Sequence, residues 1–340
     1  MDDQCLSTQH TSPQLVSIIH RKMSRRSALL NLAELTLAGG GLAPIVAACS
    51  SAEPRSSPSP TATSGANAVR FAVIGDYGSG DAKEGEIASL VKGWKPDFIT
   101  TVGDNNYPRG ETSTIDRNIG QFYHEFIFPY KGTYGAGATS NRFWPIYGHR
   151  DWDNDGVDIA TPLSGKPYHD YFTLPGNGRY YDFVDGPIHF FMLSTDRYRE
   201  PDGASSTSIQ AKWLQSRLAA SRARWKLVYA HHAPNTSAAS VAGVGGSIWM
   251  RWPYAAWGAT AVLAGYYHSY ERILRDGIVY FVNGISGGNY ISGFAYPPVK
   301  GSQVRYNDDH GAILVNANST QIIFQFITRM GSVIDRYTIQ

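Results

Sequence analysis

Cysteine is nearly absent from this chain. Among 340 residues only Cys5 and Cys49 carry a thiol, and both fall in the first fifty. The body of the protein therefore has no disulfide and no thiolate ligand. Any metal there must be held by carboxylate, imidazole, phenolate or amide groups. Charge is sparse too, at 17% of residues, with a net value of +2. No basic run with interleaved aromatics occurs in the body, so nothing makes an electrostatic case for nucleic acid. No internal repeat is found. The most apolar stretch, from Ala28 to Ala48, is broken by Glu34, by Gly39 to Gly41 and by Pro44, which disfavours a spanning helix. Two binding motifs are incomplete. The run Asp151-Trp152-Asp153-Asn154-Asp155-Gly156 looks like a calcium-loop fragment, but Pro162 stands where an EF-hand needs its distal glutamate, so a solvated turn is expected. The stretch Asn283-Gly284-Ile285-Ser286-Gly287-Gly288-Asn289 lacks the strand and helix that flank a nucleotide fingerprint, and reads as a tight turn or the rim of a site.

What the chain has in quantity is aromatic side chains, at 13%, and enough length for a large core. Its first 66 residues read as targeting sequence rather than fold. Arg25 and Arg26 precede the apolar stretch in the manner of a twin-arginine export signal. The stretch ends in Val46-Ala47-Ala48-Cys49, which resembles a lipobox whose Cys49 is acylated. Met23 stands just before the arginine pair and is a second candidate start. We expect residues 1–48 to be an export signal, 49–66 a disordered Ser/Pro tether, and 67–340 one domain. The expected location is the cell envelope, lipid-anchored or periplasmic/extracellular, with a lipid as the only membrane contact.

Five short runs rich in β-branched or aromatic residues have strand length: Val69–Ile74, Phe98–Val102, Phe143–Tyr147, Leu227–Ala230 and Ala261–Ala264. Each leads directly into a turn bearing a ligand-type residue. These are Gly75-Asp76-Tyr77-Gly78, Gly103-Asp104-Asn105-Asn106-Tyr107, Gly148-His149-Arg150-Asp151, His231-His232 and Gly265-Tyr266-Tyr267-His268. In α/β sheets, sites form just beyond strand ends, where loops from several strands converge. Helical spacing covers Glu84–Lys92 and Ile209–Ala223. Residues 180–195 read as a hairpin, and 278–283, 312–316 and 320–337 as further strands. We expect two packed sheets with helices outside. A single Gly-Asp step means little, since aspartate also caps helices and closes turns. The ordered series of five such turns is what carries the reading.

That series resembles the calcineurin-like metallophosphoesterases, and within them the purple acid phosphatases, over residues 67–340. Connecting stretches such as Phe172-Thr173-Leu174-Pro175-Gly176, Tyr180-Tyr181-Asp182-Phe183 and Trp225 to His231 share the likeness. The resemblance implies a four-layer αββα sandwich with two mixed β-sheets. It also implies two metals bridged by one aspartate, and hydrolysis of phosphate esters by a metal-bound hydroxide. It assigns Asp76, Asp104, Tyr107 and His268 to ferric iron. Three hard oxygen donors, one of them a phenolate, with one imidazole do favour a hard trivalent ion.

Three positions depart from the family. At the second metal, Asp104 and His231 are present, but the asparagine position holds His149 and the first histidine of the GHxH motif is Tyr266. A second divalent ion (Fe2+, Zn2+ or Mn2+) would be absent, weakly held or different in kind. The histidine of the GNH motif is Arg150, which cannot act as a general acid but can grip phosphate through two N–H groups. Asp151 is expected to orient it. His232 is the nearest alternative proton donor, against a purely structural hydrogen bond. His124, His169 and His189 read as structural. The expected function is an exported, acid phosphatase-like phosphoric ester hydrolase acting on a small-molecule monoester or diester, with Arg150, His231 and His232 as catalytic candidates. The rival is a non-catalytic phosphate- or metal-binding lipoprotein on the same scaffold.

Overall fold

A computed structural model describes residues 68–152, 165–239 and 245–340. The expected export signal, the linker with Cys49, and residues 153–156 of the acidic turn lie outside the described residues. Thirteen strands are found among the described residues: β1 (Val69–Ile74), β2 (Phe98–Thr101), β3 (Phe143–Trp144), β4 (Tyr181–Asp185), β5 (Ile188–Met192), β6 (Trp225–His232), β7 (Ala261–Gly265), β8 (Tyr270–Arg275), β9 (Ile278–Asn283), β10 (Ser302–Tyr306), β11 (Gly311–Ala317), β12 (Ile322–Thr328) and β13 (Val333–Ile339). They form two sheets, in the orders β13-β12-β11-β1-β2-β3 and β10-β8-β9-β7-β6-β5-β4. Both are mixed. β1, β2 and β3 run parallel in the first, and β5, β6, β7 and β9 in the second.

The two-residue period of each strand sorts side chains between two environments. In β1, Phe71 and Val73 face the second sheet, while Ala72 and Ile74 pack under Ile87 and Val91 of the helix Ala82–Gly93. In β6, Leu227 and Tyr229 face the first sheet, while Val228 and Ala230 pack with Leu214 and Leu218 of the helix Ile209–Ala220. Helix, sheet, sheet and helix thus make the four layers that the sequence implied. Aromatic rings fill the space between the sheets. Phe71 stacks on Phe98 at 5.1 Å, and Phe190 of the other sheet meets them edge-on at 5.3 and 5.5 Å.

The helices begin where their caps dictate. The Asp81 carboxylate accepts from the Lys83 and Glu84 N–H groups, and the Ser208 hydroxyl oxygen from Ala211. Some expected boundaries move. The run Phe143–Tyr147 yields only the two-residue β3, because Pro145 has no N–H to donate to a ladder. Its carbonyl instead accepts from the Tyr168 and Tyr181 hydroxyls. The run 320–337 is the hairpin β12–β13. β8 and β10 have no counterpart among the expected elements. No helix among the described residues is long and apolar enough to cross a membrane.

Candidate metal centre

The parallel strands of both sheets end on one side of the sandwich, and the candidate residues lie just past those ends. Asp76 follows β1, Asp104 and Tyr107 follow β2, His149 follows β3, His231 and His232 close β6, and His268 follows β7. Asp76 (φ 52°), Asp104 (φ 52°) and Tyr266 (φ 68°) all adopt left-handed backbone, a costly conformation for residues with a Cβ that clusters at functional sites. Close packing holds the loops there. A Cβ at Gly148 would lie 1.8 Å from the Asp104 backbone nitrogen, so the β3 loop can meet the β2 loop only as glycine.

The four residues assigned to the first metal converge. The Tyr107 hydroxyl lies 3.0 Å from Asp104 Oδ2, 3.5 Å from Asp76 Oδ1 and 3.2 Å from His268 Nε2. His268 Nε2 is in turn 3.3 Å from Asp76 Oδ1. All four side chains are buried. The other ring nitrogen of His268 hydrogen-bonds the Tyr290 carbonyl at 2.9 Å, and the Tyr290 ring stacks on it at 3.9 Å. This fixes which nitrogen faces the cluster. Burial raises the Tyr107 phenol well above its ordinary value, and the Asp104 and Asp76 carboxylates push the same way. Burial opposes charge on His268, but Asp76 outweighs it and the imidazole is raised. Two carboxylates, a phenol and an imidazole converging on one point are a donor set suited to a hard ion, so the residues fit the ion implied for the first site.

His231 completes this group from the other side. Its Nδ1 is hydrogen-bonded to the Val102 carbonyl at 2.8 Å. Its Nε2 lies 3.2 Å from Asp104 Oδ1 but is fully buried with no hydrogen-bond partner. Asp76, Asp104 and His231 bring one donor atom each to within 4.8 Å of one another. Burial alone would raise the Asp104 carboxyl. The facing His231, the Arg150 N–H at 2.7 Å and His149 together lower it.

The implied second ion is not matched in the same way. Asp104 Oδ1 and His231 Nε2 are its only donors of the expected kind. His149 places Nδ1 3.2 Å from Asp196 Oδ2. Burial and Tyr267 push the Tyr266 phenol up to about 12. Tyr266 contributes through its backbone, whose N–H reaches both Asp76 oxygens at 3.2 and 3.0 Å. Of the implied second-site residues, Asp104 Oδ1 and His231 Nε2 face each other at 3.2 Å, while His149 Nδ1 is engaged by Asp196.

A register shift between Ala230 and His232 interrupts the alternation at the end of β6, and the two adjacent histidine rings lie 5.1 Å apart, both against Tyr266, at 5.4 and 4.5 Å. His232 hydrogen-bonds Thr195 Oγ1 at 2.9 Å. Burial and the nearby His231 push it down to about 3, so it is neutral at ordinary pH and has no proton to give as a general acid. His232 forms a second donor group with His149 and Asp196. Asp196 was missed in the sequence, although it too follows a strand end, beyond β5.

Arg150 touches Asp104 through its backbone. Its side chain lines a cavity of about 440 Å³ with Tyr107, Pro108, Arg109, Asn289 and Tyr290, at the mouth of the cluster. Asp151 fastens the β2 loop to the β3 loop. It accepts from the Asn105 N–H at 3.0 Å, the Asn105 amide at 2.7 Å and the Gly148 N–H at 2.7 Å. Burial and the Asp104 charge push its carboxyl up to about 7 against these donors. The bland readings of the other histidines agree with their surroundings. His189 bridges Asp182 at 2.6 Å and Ser221 at 2.9 Å, and His124 bonds the Ala136 carbonyl at 2.8 Å. His169 packs its ring edge against Tyr147. The glycine-rich stretch after Asn283 does line the site, since a Cβ at Gly284 would lie 3.2 Å from Asp76 Oδ2.

No family model matches the sequence, and no curated protein does. Solved structures do. A purple acid phosphatase from yellow lupin (Lupinus luteus) seeds superposes with a TM-score of 0.64 at 17% identity, over 84% of this chain and 55% of that one. This chain thus spans little more than half of the lupin protein's length. GAP50, described as the anchor in the inner membrane complex of Plasmodium, gives 0.56 at 15% identity, over 80% and 89%. PhoD gives 0.51 at 14% identity, over 82% and 70%. At these identities the likeness is one of fold, and the fold of this chain is that of the calcineurin-like metallophosphoesterases.

Proposed function

We propose that the chain is an exported, metal-dependent phosphoester hydrolase of the acid phosphatase-like kind, with ferric iron held by Asp76, Asp104, Tyr107 and His268. The convergence of these four buried side chains around the Tyr107 hydroxyl is the observation that carries the reading. Ferric iron bound there supplies Lewis-acid charge that polarises phosphate and acidifies water. His231 presents an unpartnered Nε2 beside Asp104 and so offers a donor toward the same space. Arg150, at the mouth of the cavity, grips the phosphate oxygens of the incoming ester. With His232 neutral and buried, the leaving group takes its proton from water or from the substrate side.

The test is elemental analysis of the purified chain with a visible spectrum and an assay on mono- and diesters. Iron with a tyrosinate band and turnover supports the reading, and iron-free protein without turnover refutes it. Export and acylation at Cys49 are part of the proposal. Cys49→Ala should move the protein from the membrane fraction to the soluble envelope fraction.

A second reading keeps the fold and drops the chemistry. The changes at positions 149, 150 and 266 fit a non-catalytic phosphate- or metal-binding lipoprotein, and one protein of similar fold is described as an anchor. Binding of phosphate or metal without turnover of any ester would favour it.

A further inference from the structure

Beside the first cluster lies a set of donors that joins His149 and His232, from two of the strand-end turns, to Asp196, which no motif singled out. His149, Asp196 and His232 bring one ligand-type atom each to within 4.8 Å of one another. Two imidazoles and a carboxylate are a donor set suited to a borderline divalent ion such as Zn2+. The set is also braced as metal ligands are. His232 spends one ring nitrogen on Thr195 Oγ1, and Asp196 Oδ1 accepts the Tyr198 N–H at 3.0 Å.

The set already contains a cation. Arg199 Nη1 lies 3.1 Å from Asp196 Oδ2, 3.1 Å from His149 Nδ1 and 3.3 Å from the His149 carbonyl oxygen. The arginine side chain is 7% exposed and the Asp196 side chain 4%, so water screens this pair little, although His149 beside it is 36% exposed. A guanidinium cannot be deprotonated within a protein. A divalent ion at bonding distance from the same oxygen and nitrogen would sit almost against it, and repulsion in so poorly solvated a place would expel the ion. Arg199 Nε, buried and without a partner, shows that the group is placed by these contacts rather than by saturation of all its donors.

We infer that Arg199 is the resident cation of the His149–Asp196–His232 set and closes it to metal. The protein carries its second positive charge as a guanidinium, next to a single metal centre. This also accounts for the contact of His149 Nδ1 with both Asp196 and Arg199. Unlike a bound ion, this charge survives chelators. The inference builds on the reading of the first cluster as a metal centre, so the test counts the two sets separately.

The experiment is calorimetric titration and elemental analysis of the metal-stripped full chain with Zn2+. The wild type, Arg199→Met, and Arg199→Met combined with His232→Ala are compared. One ion per chain in the wild type, two in Arg199→Met and one in the double variant are expected. Zero, one and zero would refute the first centre yet uphold the closure by Arg199. Two ions in the wild type, or no added ion in Arg199→Met, would overturn the inference. Should Arg199→Met fail to fold, Arg199→Gln removes the charge while keeping a hydrogen-bonding side chain and carries the same prediction.

Discussion

The Tyr107 hydroxyl lies 3.0 Å from Asp104 Oδ2, although the two residues are only three apart in the chain. A tight turn after β2 folds the phenol back over the carboxylate. The Asp104 carboxylate makes the Tyr107 proton harder to remove, and a cation would relieve that. Tyr107→Phe should therefore abolish any tyrosinate band in iron-loaded protein. It should also weaken ferric binding by roughly tenfold or more, about 1.4 kcal/mol. An unchanged visible spectrum would take Tyr107 out of the ligand set.

Asp151 gives the metal-free protein an inverted acid profile. Its folded value of about 7 exceeds the ordinary 3.8, so the folded state binds the proton more tightly than the unfolded chain does. Stability from this group is present below the unfolded value, falls as pH rises between about 4 and 7, and is lost above. The span is worth ~4 kcal/mol at most. The buried Glu84, raised by desolvation, has the same sign. Metal at Asp104 cancels part of the repulsion on Asp151. The gap in melting temperature between loaded and metal-free protein should thus widen from pH 5 to pH 8. A gap that is flat or narrows with pH would contradict this account.

Arg150 separates backbone from side chain. Its N–H holds Asp104 while its guanidinium faces the cavity. Arg150→Ala should leave metal content unchanged and weaken inhibition by inorganic phosphate about 10- to 100-fold, the value of a charge-assisted contact. Loss of metal in this variant would show that the side chain supports the centre and not the substrate.

Gly148 permits the contact between the β2 and β3 loops. In Gly148→Ala the added carbon would meet the Asp104 nitrogen at 1.8 Å and Oδ1 at 2.3 Å. We expect a loss of about 3 kcal/mol in thermal or denaturant unfolding, together with loss of metal, because the loops must part. Wild-type metal content in this variant would mean that the loops have slack the packing does not suggest.

The strands that end in candidate ligands were legible because much of their information is local. In β1 and β2 a run of β-branched or aromatic residues, a glycine and a carboxylate follow one another within a few positions, and the series of such turns along the chain marked Asp76 and Asp104. His268 and His231 were legible for the same reason. The state of the second position was not. The contacts of His149 depend on Asp196 and Arg199, about fifty residues away and beyond a stretch read only as a hairpin. His231 was read as a ligand candidate and His232 as a candidate proton donor, and nothing local in the sequence showed that His232 would group with Asp196. β8 was hidden by its composition. Tyr270-Glu271-Arg272 looks solvated, yet Glu271 is buried and accepts from Thr236, Ser237 and Ser302.

The donors around Tyr107 come from both layers of strands. Asp76, Asp104 and Tyr107 ride on the ends of β1 and β2, whereas His231 and His268 ride on β6 and β7. An ion gripped by both groups acts as a rivet through the sandwich. Parting the sheets would require its release, so a loaded molecule should open by a slower route than a stripped one. Amides of β1 and β7 should then exchange with solvent in step, and their common rate would read directly how long the rivet stays in place.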